Sequence, residues 1–380
     1  MSLPYNKSGE KTEGIPAYPH DGMNEDGFTD EQVNDIREAI QKARDHPENF
    51  IGPCSGKDVL AYLRSPDGVS AHDNLHVVEK LYRSYILSLI GTDPMSDKTF
   101  DFTRLYPETD DIDTLVLHVD NLKKCLDSLR PIPPEQVKNL QEAFDTQYTY
   151  DSNRIEGNTL TLNETAMVIQ HGITIGGKPL KDHMEAINHR DAINYIRTMV
   201  SESLSLTPST LMDIHSIVLS GIDRVNAGRF RTVRVRIAGS AYTCPNPLKV
   251  PELMDSFFSL YHTEKQSCHP VILSAKIHAR LVNIHPFIDG NGRTARLIMN
   301  LILLQNGYVI ANISGDKIRR DRYYSALENT HSDEAMTDFV RFVLSTEKAS
   351  MIEYLSQLDP DIESGRGGYF LERIAPFLDR

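Results

Sequence analysis

"NIHPFIDGNGRTARLIMNLILLQNG", residues 283–307, has two unlike halves. From Thr294 onward it is apolar on nearly every side of a helix, despite Asn300 in the middle. That pattern predicts a buried central helix ended by Gly307. Ahead of it stand a histidine, an acid, two glycines flanking an asparagine, and two arginines. The first amides of such a helix lack partners and carry about half a positive charge from the aligned peptide dipoles. Gly290 and Gly292 have no Cβ, so an anion can approach the backbone, and Asn291 can add a side-chain donor. Arg293 and Arg296, three apart, share a face and suit a two-phosphate clamp. Asp289 alone would repel phosphate, and a Mg²⁺ ion between carboxylate and phosphate removes the conflict. His285 can take a proton near neutral pH. Base, metal carboxylate and clamp together predict phosphoryl or nucleotidyl transfer. The plain alternative is a glycine turn before a core helix, with surface arginines. No G-x-x-x-x-G-K-[ST] loop is present.

Helical spacing extends in both directions. "IDTLVLHVDNLKKCLDSLR" and "PPEQVKNLQEAFDTQYTYDSNRIEG" are amphipathic, the second with prolines suited to a first turn. "LNETAMVIQHG", "HMEAINHRDAINYIRTMVSES", "VPELMDSFFSLYH" and "PVILSAKIHARLVNI" follow the same period. "TPSTLMDIHSIVLSG" opens on a threonine cap and a proline, and closes on Gly221. Past the central helix, "DRYYSALENT" and "DEAMTDFVRFVLST" precede a helical tail. One segment differs. In "RFRTVRVRIAG", Val233, Val235 and Ile237 alternate with Arg234 and Arg236, which predicts an isolated hairpin at about 231–245. It is either an edge strand whose arginines block aggregation or a flap offering free backbone to an extended peptide.

Residues 1–27 are polar and read as poorly ordered. A helix capped by Thr29, with Gln32 at its box position, and a second over "HDNLHVVEKLYRSYILSLI" follow before a Pro- and Asp-rich linker. His72 and His76 have the spacing of two zinc ligands, but Asp73 replaces the glutamate of H-E-x-x-H and no third ligand is evident. A polar helix face is the better reading. The other histidines except His285 are read as solvent-facing or satisfied. Expected boundaries are 1–105, 106–204, a core at 205–345 and a tail at 346–380.

The 380 residues carry a net charge of −13, with 40% hydrophobic and 24% charged residues. No global basic field draws such a chain to nucleic acid or anionic lipid. The N-terminus has no apolar h-region, and no apolar run is long enough to span a bilayer. Cys54, Cys125, Cys244 and Cys268 form no C-x-x-C pair and read as reduced thiols. The expectation is a cytoplasmic protein without nucleic-acid or membrane partners. The sequence is compatible with a homo-oligomer.

His285-Pro286-Phe287-Ile288-Asp289-Gly290-Asn291-Gly292-Arg293-Thr294-Ala295-Arg296 matches the Fic family signature H-P-F-x-[DE]-G-N-G-R-x-x-R at every constrained position. The chain resembles that family over about residues 106–345. "SNRIEGN", from Ser152, resembles the family's inhibitory pattern [ST]-x-x-x-E-[GN]. The resemblance implies a mainly α fold: a helical bundle around a buried central helix, with a small β-hairpin flap that docks the target, plus a helical N-terminal region. It implies transfer of AMP from ATP to a Ser, Thr or Tyr hydroxyl of a target protein, with release of pyrophosphate. His285 would be the base, and Asp289 would hold Mg²⁺ or Mn²⁺. Gly290, Asn291, Gly292 and Arg293, with Thr294 and Ala295, would bind the α- and β-phosphates. Arg296 would take the γ-phosphate once Glu156 is displaced, and Phe287 would anchor the loop. Ile237, Ala238, Gly239, Ser240, Tyr323 and Tyr324 would line the nucleotide pocket, with Asn329 or His331 on the base. The alternatives are AMP removal, with Glu156 aligning a water, and a non-catalytic, antitoxin-like binding module.

Overall fold

A computed structural model describes residues 106–130, 132, 134–237, 240, 242–331 and 336–358. The expectations for residues 1–105, including the Thr29 cap and the His72/His76 pair, lie outside these, as do Ala238, Gly239 and residues 359–380. The chain divides into two compact units. Residues 109–119 and 132–354 form one; residues 1–108, 120–131 and 355–380 form the other. Described parts of the second unit bury Leu122, Cys125 and Leu126, and Asp127 there pairs with both Lys123 and Arg130.

The described secondary structure is helical. The helices are α1 (Ile112–Leu129), α2 (Pro134–Ile155), α3 (Leu162–His171), α4 (Leu180–Ser201) and α5 (Pro208–Val218), then α6 (Val250–Glu264), α7 (Pro270–Ile284), α8 (Asn291–Gln305), α9 (Lys317–Glu328) and α10 (Met336–Leu358). Local chemistry sets their ends. Thr161 and Glu164 close a reciprocal capping box on α3, and Gly172 ends it in the left-handed region. Thr207 and Thr210 do the same at the start of α5, with Pro208 in the first turn. α5 stops at Val218, short of Gly221, whose φ of 70° turns the chain afterwards. No glycine or proline interrupts residues 336–358, so the short helix expected at 333–346 and the start of the tail form the single helix α10.

α8 is the central helix. Arg293 through Leu303 are all buried, and α7, α4, α5 and α2 pack around them. Full burial of Asn300 costs little, because its amide exchanges two hydrogen bonds with the backbone of Ala311, at 2.8 and 3.4 Å.

The hairpin expected at 231–245 is not seen. Among the described residues no strand is present. A two-stranded ribbon without sheet neighbours is marginal, and this segment is held by other means. The Arg231 amide donates to Pro286 O at 2.8 Å. Its guanidinium donates to the carbonyls of His285, Val233 and Pro245 at 2.7, 3.0 and 2.7 Å. Tyr242 donates its hydroxyl proton to Asn283 O at 3.1 Å. The alternation survives in part as exposure: Arg234 and Arg236 are exposed and Val235 and Ile237 half-buried, but Val233 is exposed as well.

Candidate active site

His285 follows α7 and adopts φ 49°, ψ 59°, a left-handed conformation uncommon for a side chain of its size. Its Nδ1 lies 3.2 Å from Val282 O. A carbonyl can only accept, so Nδ1 carries the proton and Nε2 is left as the acceptor. Burial lowers the pKa of the ring, the Val282 carbonyl works against this, and Arg231 lowers it further. The neutral form dominates near pH 7.

The loop after His285 is braced from beneath. Phe287 is fully buried, its ring stacked on His215 at 3.6 Å and 7°. Nδ1 of His215 accepts the Gly228 amide at 3.0 Å, so Nε2 donates to Asp289 O, also at 3.0 Å. Burial pushes the pKa of His215 down to about 4, which keeps that single-proton tautomer. Asn291 does not extend its side chain as an anion donor. Oδ1 accepts the Phe287 amide at 2.9 Å and Nδ2 donates to Phe287 O at 3.0 Å.

At the start of α8, Gly290 has φ 77° and its amide donates to Asp289 Oδ1 at 2.6 Å. The amides of Asn291, Gly292 and Arg293 make no hydrogen bond among the described residues. They are the donors open to an anion. Thr294 and Ala295 lie one turn further into the helix. Both side chains are fully buried, and the Thr294 amide already donates to Gly290 O at 3.0 Å. Helical register uses these groups inside the protein.

Arg296 is almost wholly buried in a cage of acceptors. Nε donates to Ser152 Oγ at 3.0 Å, and Nη2 donates to Ser152 O at 2.9 Å and to Glu156 Oε1 at 2.7 Å. Nη1 reaches the Tyr323 hydroxyl at 3.4 Å, and that oxygen also lies 3.0 Å from His278 Nε2. Burial opposes the charge on Arg296, yet Glu156 and Tyr323 hold its pKa above the ordinary value. A Cβ on Gly292 would fall 2.4 Å from Glu156 Oε1. The carboxylate therefore lies directly against the amide-rich helix start. Arg293 is equally buried, with Nη1 3.0 Å from Glu185 Oε1 and Nη2 3.4 Å from Asp289 Oδ1.

The C-terminal part of α2, which carries Glu156 just beyond it, is fastened on several sides. Asp151 accepts from Gln147 at 2.6 Å, Asn312 at 2.7 Å and the Gly315 amide at 2.8 Å. Asn153 donates to Glu185 O at 3.3 Å, and Asn158 to Asp182 O and Glu185 Oε2, both at 3.0 Å.

The expected pocket residues are less uniform. Tyr323 is fully buried and supports Arg296 from within. Tyr324 is 45% exposed and donates its hydroxyl proton to Ile155 O at 3.1 Å. Ser240 donates to Glu328. Ile237 is half-buried, and Asn329 is exposed at the start of a 3-10 turn, Asn329–His331. Sequence reasoning missed Arg231, Glu185, His215 and His278. Glu185 and His215 lie on buried helix faces, so an acid or imidazole among apolar neighbours was the available signal.

Fold and site together define the class: a helical protein whose central helix starts on unpartnered amides, preceded by a loop carrying a neutral histidine. Residues 205–303 match the model of the Fic/DOC family. The chain is similar to proteins of that family beyond this stretch as well. It is 30% identical over 271 residues to a "Protein adenylyltransferase Fic" of Drosophila virilis, covering 69% of this chain and 55% of the relative. It is 29% identical over 340 residues to the protein of the same name from Nematostella vectensis, covering 88% of this chain and 74% of that one. The chain thus spans about half the length of the Drosophila relative. A Fic-domain signaling protein from Bacteroides thetaiotaomicron is similar in structure, with TM-score 0.58 and 28% identity, covering 63% of this chain and 95% of that one. Fic-1 from C. elegans shares the fold, with TM-score 0.58 and 23% identity over 88% and 94%.

Proposed function

We propose that the chain is a protein adenylyltransferase that moves AMP from ATP to a Ser, Thr or Tyr hydroxyl of a target protein and is held back by Glu156. The observation that carries this reading is the tautomer of His285. With Nδ1 committed to Val282 O, Nε2 is the acceptor and can take the proton of an incoming hydroxyl. The hydroxyl oxygen bonds to the α-phosphorus, the bond from that phosphorus to the β-phosphate bridging oxygen breaks, and pyrophosphate leaves. The amides of Asn291, Gly292 and Arg293 hold phosphate oxygens and receive the charge that develops. Arg296 binds the γ-phosphate when Glu156 turns away. Two relatives named protein adenylyltransferase support the assignment.

The residues present fit a divalent ion. Asp289 is half-exposed and spends Oδ1 on the Gly290 amide and Arg293, which leaves Oδ2. Among the described residues no cluster of three His, Cys, Asp or Glu could hold a metal alone. One carboxylate plus substrate oxygens is the arrangement Mg²⁺ or Mn²⁺ accepts, and the ion would offset phosphate charge. Cys125, Cys244 and Cys268 are free thiols, which supports a cytoplasmic location, and no described helix is long and apolar enough to cross a membrane.

A second reading is removal of AMP. It is favoured by Glu156 Oε2, which has no partner among the described residues and could align a water. ATP labelled at the α- or the γ-phosphate tests the assignment. Label on protein from the α-position alone is expected. Label from the γ-position would make the protein a kinase, and label from neither, with hydrolysis of an AMP-modified protein, would support removal.

A further inference from the structure

We propose that exposed arginines in the segment 224–251 select target proteins that carry an acidic extended stretch beside the acceptor hydroxyl; this rests on the adenylyl-transfer reading above. The segment holds Arg224, Arg229, Arg231, Arg234, Arg236 and Lys249 and no aspartate or glutamate, in a chain of net charge −13. Arg231 is used internally, its guanidinium on three carbonyl oxygens. The others differ. Arg224, Arg229, Arg234 and Arg236 are all exposed, and none meets a carboxylate among the described residues. Elsewhere in the same unit Arg190, Arg197 and Arg341 pair with acids at 2.8, 2.6 and 2.7 Å, whereas exposed Arg154 and Arg322 stand on separate helices rather than in a cluster. A local surplus of unpaired guanidiniums on an acidic protein marks a surface built for an external anion.

Position and spacing narrow the anion. Arg231 ties the segment to the carbonyls of His285 and Pro286. Arg234 and Arg236 follow by three and five residues, within ~11 and ~18 Å of that anchor even in a fully extended chain. They flank the half-buried Val235, and once the segment is extended beside a peptide the two would leave one face about 7 Å apart. Alternate side chains of an extended peptide have that same repeat. The backbone groups of Arg234, Val235 and Arg236 make no hydrogen bond among the described residues. They can therefore receive a peptide strand by β-augmentation, with planar forks waiting for carboxylates at alternate positions. A protein must present its hydroxyl at this place in any case, which favours an acidic peptide over other polyanions.

The test uses the full chain carrying Glu156→Gly and two fluorescent 12-residue peptides with a central Ser-Thr-Tyr. One peptide has aspartate at alternate flanking positions and the other has asparagine. Anisotropy measures binding, α-labelled ATP measures transfer to each, and self-labelling reports whether the protein transfers AMP at all. Two exposed ion pairs should give the acidic peptide about 3–10-fold tighter binding at low salt. Arg234→Gln with Arg236→Gln should erase that preference while leaving the asparagine peptide's binding unmoved. Equal binding of the two peptides, or a preference that survives the double substitution, would overturn the proposal. So would tighter binding of single-stranded DNA of equal charge at the same arginines. If self-labelling is absent, the transferase reading falls, and the anisotropy comparison still decides the docking surface.

Discussion

Glu156 and Gly292 share one small volume at the start of α8. The carboxylate oxygen 2.7 Å from Arg296 Nη2 is the same atom that a Cβ on Gly292 would meet at 2.4 Å. It stands where a bound anion's oxygen would stand, on the same guanidinium and against the same amides.

Removing that carboxylate should raise activity. If the occluded arrangement outweighs the open one ~99:1, Glu156→Gly lifts transfer about 100-fold. Arg296 keeps Ser152 and Tyr323 as partners, so it stays placed for phosphate. Labelling with α-labelled ATP measures the gain, and an unchanged or lower rate in the folded variant would remove Glu156 from an inhibitory role. Arg296→Ala should give no gain.

Gly292→Ala separates the lock from the site beneath it. The added methyl would displace Glu156, yet it would also intrude where phosphate must approach the backbone. Labelling should stay well below that of Glu156→Gly. In the Glu156→Gly background, the alanine should weaken ATP binding by isothermal titration. A Gly292→Ala protein as active as Glu156→Gly would show that the anion does not approach this backbone.

His285→Ala should cost about 10²–10⁴-fold in transfer and leave ATP binding nearly intact. The neutral ring is the proposed base, and burial lowers its pKa below the ordinary 6.5. The base form is thus present throughout pH 7–8, and the rate should fall only on the acid side of 6.5. An acid limb centred above 7 would contradict the buried, neutral assignment.

Asp289→Ala should raise the Mg²⁺ concentration needed for half-maximal transfer, with little change in Tm. The side chain is half-exposed and bonds only the loop amide and Arg293. Equal metal titrations of the two proteins would exclude Asp289 from the metal site.

Much of the fold was legible because its signals are local. The apolar run of α8, the threonine caps and the glycine stops each act within a few residues. The same holds for the crowding of His285, Asp289 and Arg296. What the sequence hid depends on partners far along the chain. Arg293 looks like a free phosphate clamp until Glu185, on α4, is found against it. Tyr323 reads as a pocket wall until its hydroxyl is seen between Arg296 and His278. The alternation at 233–237 is present, but a ladder also needs a neighbour, and the periodicity of one strand cannot report whether one exists.

The fastening of α2 bears on how quickly the protein could respond. Asp151, Asn153 and Asn158 bind the chain around Glu156 to two other segments, α4 and the loop at 312–315. Lifting the helix away would break all of these bonds together. Turning the Glu156 side chain, which is about one-third exposed, breaks one. Rotamer changes of exposed side chains take picoseconds to nanoseconds, whereas collective helix movements take microseconds to milliseconds. On the proposed inhibitory role, the open form is thus sampled many times within each catalytic turnover. Any activator then has no slow step to accelerate and acts by shifting how much of the time Glu156 spends away from Arg296.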